Sequence, residues 1–94
     1  MNSLDLNLRP VLAPHVRLKI DPVQNEPVLL FPEGLLILNE TAHEIVRRCD
    51  GQTSIADLLR QLSEEFDVAE DVLCADVFEN LEHLQQRNLL VFSP

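Results

Sequence analysis

The chain has 94 residues, 46% of them hydrophobic, and a net charge of −9. This length predicts one domain with a thin core, and the composition is that of a globular protein. Residues 39–94 hold four arginines against twelve carboxylates, and this acidic excess disfavours binding to nucleic acid. No apolar run reaches the ~18 residues that span a bilayer, and no signal peptide is recognised, so we expect a cytoplasmic protein.

Residues 1–14 are predicted to form an N-terminal tail ahead of a single domain over residues 15–92. Three leucines of the tail alternate with polar residues, as in a strand: Leu4, Leu6 and Leu8. Pro10 and Pro14 are expected to stop any regular element that follows. Two interpretations stay open, namely a frayed terminus or a strand that pairs with a sheet edge of this chain or of a second subunit.

Three strands are predicted next. The first alternates Val16, Leu18 and Ile20 with charged residues, which is typical of a half-buried strand. Residues 27–31 and 35–38 form a hairpin around a tight turn, in which Gly34 can take a positive φ. Both runs are bulky at every position, so both faces of the hairpin require cover. The chain's helices can cover one face, and the other face, or the open edge, is left for a partner.

Three helices follow the hairpin. The first begins near Asn39, with Thr41-x-x-Glu44 as an overlapping capping box, and the chain leaves it at Gly51 in the left-handed conformation. Thr53 or Ser54 caps the second helix, and the third runs from about residue 69 to 87, before an extended piece over 89–92. Apolar stripes at helical spacing are predicted to be buried. Their members are Ala42, Ile45, Val46 and Cys49; Ile55, Leu58, Leu59, Leu62 and Phe66; and Cys74, Val77, Phe78, Leu81 and Leu84.

This order of elements predicts an α+β fold. A three-stranded antiparallel sheet precedes a three-helix bundle, an arrangement that resembles the winged helix.

The sequence offers no constellation of residues for catalysis. His15, His43 and His83 lie at unrelated phases of different elements, and no ligand cluster surrounds them. Cys49 and Cys74 are far apart and are interpreted as small buried hydrophobes. We therefore expect a protein that is not an enzyme and that holds no metal and no cofactor.

Binding functions remain as the alternatives. The helix order also occurs in DNA-binding proteins, but Arg60 and Gln61 of the second helix lie beside Glu64 and Glu65, so this is the weakest alternative. Peptide binding fits better, because an exposed strand edge supplies backbone hydrogen bonds and neighbouring apolar pockets supply selectivity. A two-sided core strand or a homodimer contact would also explain the apolar hairpin.

Several short motifs occur together in an order that resembles one family. They are Arg9-Pro10-x-Leu12-x-Pro14, Arg17-Leu18, Leu29-Leu30-Phe31-Pro32-Glu33-Gly34, Leu38-Asn39-x-Thr41-Ala42, Ile45 and Cys49-Asp50-Gly51. In these motifs the chain resembles the pyrroloquinoline quinone biosynthesis protein D (PqqD) family, over residues 9 to about 92. Phe31 is a small departure, because tyrosine is expected there as often.

The resemblance implies a winged-helix-like peptide chaperone, a recognition element for ribosomally made, modified peptides. It implies two partners: the precursor peptide PqqA, and PqqE, the radical S-adenosylmethionine enzyme to which the peptide is presented and which joins its glutamate and tyrosine. In related recognition elements the leader peptide adds antiparallel to the third strand, in a cleft with the third helix. Carried over to this chain, the candidate peptide-binding residues are Gly34, Leu35, Leu36, Ile37, Leu38, Leu73, Asp76, Val77, Asn80 and Leu84.

Overall fold

A computed structural model describes residues 5–94, and this part of the chain forms five strands and three helices. Strands β2, β3 and β4 form an antiparallel sheet in that order, and β1 pairs with β5 in a second, two-stranded sheet. The predicted α+β, winged-helix-like fold is confirmed, and the small second sheet is an addition to it. The elements are β1 (Arg9–Leu12), β2 (Arg17–Asp21), β3 (Glu26–Phe31), β4 (Gly34–Ile37), α1 (Glu40–Val46), α2 (Ile55–Phe66), α3 (Glu70–Gln86) and β5 (Leu90–Ser93).

Side-chain caps fix the beginnings of α1 and α2. The side-chain oxygen of Asn39 accepts a hydrogen bond from the N–H of Ala42 at 2.7 Å. Ser54 Oγ accepts from the N–H of Asp57 at 3.1 Å. Both oxygens satisfy donors that the helix itself leaves free. Thr41 lies inside α1, so the predicted capping box that starts at this residue is wrong.

The β3–β4 hairpin turns at Pro32 and Glu33, as predicted. Phe31 pairs with Gly34 across this turn, and Gly34 has a φ of +154°. A side chain disfavours this backbone conformation, so glycine is the residue that permits the tight connection.

The prediction that Pro10 interrupts regular structure is wrong. Pro10 lies within β1, opposite Phe92 of β5. Its carbonyl accepts a hydrogen bond from the N–H of Gly51 at 3.0 Å, so the backbone groups of this residue point away from β5. Proline has no N–H, but at this position an N–H would not bond to β5. The pairing of β1 with β5 therefore loses no hydrogen bond. The strand predicted from the alternating leucines is wrong in the described residues, because Leu6 and Asn7 form a turn, and the strand of this region lies instead at Arg9–Leu12, paired with β5.

The residues just before β1 follow the first turn of α2. The carbonyl oxygens of Leu6 and Leu8 accept hydrogen bonds from the N–H groups of Ala56 and Ile55, at 3.0 and 2.9 Å. Leu4 belongs to the same predicted alternation and lies outside the described residues. In the expected tail, residues 6–8 are thus attached to α2 and residues 9–12 to β5, and neither part joins the three-stranded sheet.

The core lies between the three-stranded sheet and the helices. The predicted stripe of α1 is buried throughout, and most of the stripes of α2 and α3 are buried as well. Phe66 is an exception at 43% exposure, because it occupies the last turn of α2 beside a cavity. Cys74 and Phe78 are half-buried on α3. The buried members are Ala42, Ile45, Val46, Cys49, Ile55, Leu58, Leu59, Leu62, Val77, Leu81 and Leu84.

Candidate functional site

Strand β4 is an edge of the three-stranded sheet, and no other strand of the described chain pairs with its outer side. Leu38 follows β4 and donates its N–H to the carbonyl oxygen of Pro27 in β3, 2.9 Å away. Bonded and non-bonded positions alternate in an antiparallel pair. The backbone groups of Leu36 therefore also face β3, and those of Leu35 and Ile37 face the open edge.

The side chains of β4 alternate between two faces of the sheet. Leu36 pairs with the fully buried Leu29, on the face that the helices cover. Leu35 and Ile37 lie on the opposite face, 55% and 57% exposed, and Leu30 lies beside them. The prediction that the helices cover one face of the hairpin and leave the other open is confirmed. Leu35 and Ile37 can meet an added strand through their backbone, but their side chains point away from the helices.

One flank of α3 approaches the beginning of β4. The guanidinium carbon of Arg87, the residue that follows α3, lies 5.9 Å from the centre of the Phe31 ring. Phe31 is the pairing partner of Gly34, the first residue of β4. This cation–π contact therefore joins the C-terminal end of α3 to one end of the sheet edge.

The other end of the same flank reaches the beginning of α1. Leu73 and Asp76 line a cavity of about 290 Å³ together with Glu40 and Thr41, the first residues of α1. From Leu73 to Arg87 a helix rises roughly 21 Å. From residue 34 to residue 40 an extended chain covers roughly 20 Å. The two ends of this flank thus lie near the two ends of the segment 34–40, at Phe31 and at the cavity, and the surface between these two points is here called the cleft.

The predicted α3 residues divide between this cleft and the core. Leu73, Asp76 and Asn80 follow one another at intervals of three and four residues, which places them on one flank. The Asn80 side-chain amide donates to the backbone carbonyl of Asp76 at 2.8 Å. Val77 and Leu84 are 1% and 3% exposed and belong to the core, although Val77 also forms part of the cavity wall. Contact of a peptide with any of these residues stays a prediction.

Two cleft residues were missed by sequence reasoning. Phe31 was noted only as a departure from a family pattern, and Arg87 only as a helix end. Their contact joins β3 to the end of α3, and no local pattern reports such a distant pairing. Arg87 follows Leu84 by one helical turn and Asn80 by two, so the same phase argument continued towards the end of the helix would have found it.

The cleft has an acidic end and a basic end. Glu40 and Asp76 lie at the α1 end, and Arg87 lies at the other end. Glu44 also lines the cavity, and its hydrogen bond with Arg48, at 2.8 Å, is the main cause that lowers the pKa of this carboxyl. Arg48 bonds to Glu65 as well, so it links α1 to α2.

The described residues contain little that could carry covalent or metal chemistry. Within residues 5–94 no group of three or more His, Cys, Asp or Glu side chains is arranged to hold a metal ion. Cys49 is buried as predicted, and burial raises the pKa of its thiol to about 12. Cys74 is half-buried, and both cysteines are free. No helix in the same residues has the length and apolar character needed to cross a membrane.

Comparison with known proteins identifies relatives over nearly the whole chain. The family described as "Coenzyme PQQ synthesis protein D (PqqD)" matches residues 26–90. A "PqqA binding protein" of Xanthomonas oryzae pv. oryzae (strain PXO99A) is 38% identical over 90 residues, which cover 96% of this chain and 98% of that protein. A protein of the same name from Azotobacter vinelandii (strain DJ) is 39% identical over 88 residues, which cover 94% and 95%.

A solved structure has the same fold. It is the solution NMR structure of the PqqD truncation of Methylobacterium extorquens PqqCD, described as a functional and stand-alone RiPP recognition element. It matches with a TM-score of 0.75 and 30% sequence identity, over 87% of each chain. Motifs, fold and relatives agree, and the chain belongs to the PqqD family.

Proposed function

We propose that this protein is a peptide chaperone of pyrroloquinoline quinone biosynthesis that binds the precursor peptide PqqA as a strand added to β4. The names of the relatives support the identity of the peptide. The observation that carries the binding mode is the unpaired edge, where the backbone groups of Leu35 and Ile37 face outward.

The energetics of such a complex are reasonable. Each backbone hydrogen bond gains only ~1 kcal/mol net, because water satisfies the same groups in the free protein. Burial of two or three leucine-sized side chains in the cleft adds roughly 1.5–3 kcal/mol each. Ordering of the peptide offsets part of this gain. We therefore expect a dissociation constant in the low-micromolar range or tighter.

Amide exchange during a titration with PqqA tests the binding mode. The amides of Leu35 and Ile37 should gain protection, because the added strand accepts hydrogen bonds from them. The amides of Leu36 and Leu38 should change little, because they already face β3. Protection that is confined to the β1–β5 sheet would contradict the proposal.

A pair of variants at one position separates backbone from side-chain effects. Ile37→Pro removes one donor of the open edge and leaves the bonds to β3 in place. Ile37→Ala removes most of the exposed side chain but keeps the donor. The proline variant should bind PqqA at least about fivefold more weakly than the alanine variant, the equivalent of one lost hydrogen bond. Circular dichroism checks that both variants are folded.

We propose further that the protein presents bound PqqA to the radical S-adenosylmethionine enzyme PqqE and performs no catalysis itself. The family resemblance supports the partner, and the two free cysteines fit a reducing compartment such as the cytoplasm. Gel filtration of PqqE with labelled PqqA tests this role. Co-elution of peptide and enzyme should increase when the chain is present and should not increase with Ile37→Pro.

Self-association is a second candidate function that one observation favours. Leu30, Leu35 and Ile37 expose 37%, 55% and 57% of their surface on the outer face of the sheet. A second copy of the chain could cover this apolar face. Sedimentation equilibrium tests it: a dimer held by this face should dissociate in the variant Ile37→Lys.

A further inference from the structure

The cavity at the α1 end of the cleft has an apolar wall. Its volume of about 290 Å³ lies near the lower limit of small-molecule sites, roughly 300 Å³, so it suits one side chain better than a cofactor. Phe66 lines it and remains 43% exposed, although phenylalanine usually covers its ring. The apolar wall comes from α2, α3 and the turn between them: Leu62, Phe66, Val68, Leu73 and Val77.

The rim of the same cavity is negative. Glu40, Glu44 and Asp76 line it, and among residues 5–94 no arginine or lysine does so. Arg47 and Arg48 bind Glu44, but in the described chain neither Glu40 nor Asp76 pairs with a cation. A side chain that enters here meets an apolar wall along its stem and carboxylates at its end.

Lysine and arginine match both parts of this surface. Each has an apolar stem of three or four methylene groups and a charged end that stays at the rim. We propose that this cavity, here called the rim pocket, binds a lysine or arginine side chain of the peptide.

The position of that residue in the peptide follows from the topology. This inference rests on the proposed function, because the peptide must first add to β4. The rim pocket lies beside Glu40 and Thr41, just after the last residue of β4. A strand that runs antiparallel to β4 passes this end first. The basic residue therefore lies N-terminal to the peptide segment that pairs with β4.

A double-mutant cycle tests the rim pocket. The protein variant combines Glu40→Gln and Asp76→Asn, and the matched control combines Glu64→Gln and Glu79→Gln, two exposed positions outside the pocket. In synthetic PqqA each lysine and arginine is replaced in turn by norleucine, which keeps the apolar stem. Dissociation constants are measured by isothermal titration calorimetry.

The pocket variant should bind unmodified PqqA about two- to tenfold more weakly, as expected for two exposed charge pairs. The control should change the dissociation constant less than about twofold, because its two exposed carboxylates lie outside the pocket and salt screens them from the peptide. Norleucine at one basic position, N-terminal to the peptide segment that pairs with β4, should abolish the difference in dissociation constant between the pocket variant and the wild type. Val68→Trp narrows the pocket without a change of charge. This variant should weaken the binding of unmodified PqqA more than the binding of a peptide in which the coupled basic residue is replaced by alanine.

The outcomes separate this inference from the proposed function. Equal losses of affinity in the pocket variant and the control would overturn the proposal for the rim pocket. Coupling of the pocket variant to an apolar residue of the peptide would overturn it as well. If the amides of Leu35 and Ile37 gain protection with PqqA but no basic residue couples to the pocket, the binding mode is supported and the proposal for the rim pocket is overturned. If the wild-type chain does not bind PqqA, both are overturned.

Discussion

The backbone N–H of Gly51 donates a hydrogen bond to the carbonyl oxygen of Pro10, 3.0 Å away. Gly51 has a φ of +78°, and a Cβ atom at this position would lie 3.4 Å from the Cβ of Val11. The distance to Val11 is an ordinary van der Waals contact, so glycine is suited to this position by its left-handed conformation. This contact attaches β1 to the segment between α1 and α2.

The variant Gly51→Ala should lower the free energy of unfolding by about 1–2 kcal/mol, the cost of a left-handed backbone for a residue with a Cβ. Urea denaturation followed by circular dichroism measures the change. The neighbouring variant Gln52→Ala, at an exposed position, is the control and should unfold close to the wild-type midpoint. Equal midpoints for both variants would contradict the assigned role of Gly51.

Truncation of Leu29 should have a larger effect. This side chain is fully buried between the sheet and the helices, so Leu29→Ala should cost about 2–5 kcal/mol of stability. Leu35→Ala is the matched control in the adjacent strand, since Leu35 is 55% exposed. Its effect should stay within about 0.5 kcal/mol. Thermal denaturation of the three proteins checks the order, and similar losses in both variants would contradict the assignment of the two faces.

Stability should depend on the protonation of Asp50. Its carboxylate accepts hydrogen bonds from the N–H groups of Gln52 and Thr53, at 2.9 and 2.8 Å, and these lower its pKa in the folded state. The stabilisation is complete above the unfolded-state pKa and is lost as the pH falls through the folded-state pKa.

The variant Asp50→Asn should therefore be less stable than the wild type at about pH 6, and the difference should shrink towards about pH 3. Urea denaturation over this pH range measures it. Glu79→Gln, at an exposed position of α3, should keep the pH profile of the wild type. A stability difference between Asp50→Asn and the wild type that does not change with pH would refute the role of the carboxylate.

The two cysteines should react at different rates. Burial raises the pKa of Cys49 to about 12, so almost none of it is thiolate at neutral pH. Cys74 is half-buried and more accessible to reagents. Iodoacetamide should modify Cys74 first and Cys49 only when the chain unfolds, as read by mass spectrometry. Denatured protein, in which both cysteines should react, is the control; early modification of Cys49 in native protein would contradict its burial.

Binding to DNA should be absent or weak. The net charge of −9 opposes the phosphate contacts that supply most non-specific affinity. Fluorescence anisotropy with a labelled duplex at physiological salt should show no binding at micromolar protein concentration. A micromolar affinity that falls steeply with added salt would overturn this expectation.

Helix positions could be predicted from the sequence because their signals are local. Asn39 and Ser54 cap the helices that follow them, and the apolar stripes repeat at helical spacing. Strand β1 was not predicted, because its partner β5 lies at the other end of the chain. A proline in the strand also argued against it until the direction of the Pro10 carbonyl was known.

The candidate site could be predicted only in outline. Strand β4 is apolar at every position, so its sequence does not tell which side chains face the helices; the register with Leu29 decides it. On α3 the residues that face the cleft and the residues that belong to the core occupy adjacent positions. The phase argument therefore selected Asp76 and Asn80, which lie on the flank, together with Val77 and Leu84, which are buried; contact of a peptide with any of them stays a prediction.

Pairing of β1 with β5 brings the two ends of the described chain together. The guanidinium of Arg9 donates a hydrogen bond to the carbonyl oxygen of Pro94, 2.8 Å away. Gln85 lines a cavity with β5, and Arg87, two residues later, lies on nearly the opposite side of the helix, towards β4. A second protein genetically fused after Pro94 would thus be tethered beside the β1–β5 sheet, which is separate from the sheet that contains β4. Such a fusion would leave the open edge of β4 unpaired, while the short tether raises the effective concentration of the fused protein beside a peptide added there, as proposed above.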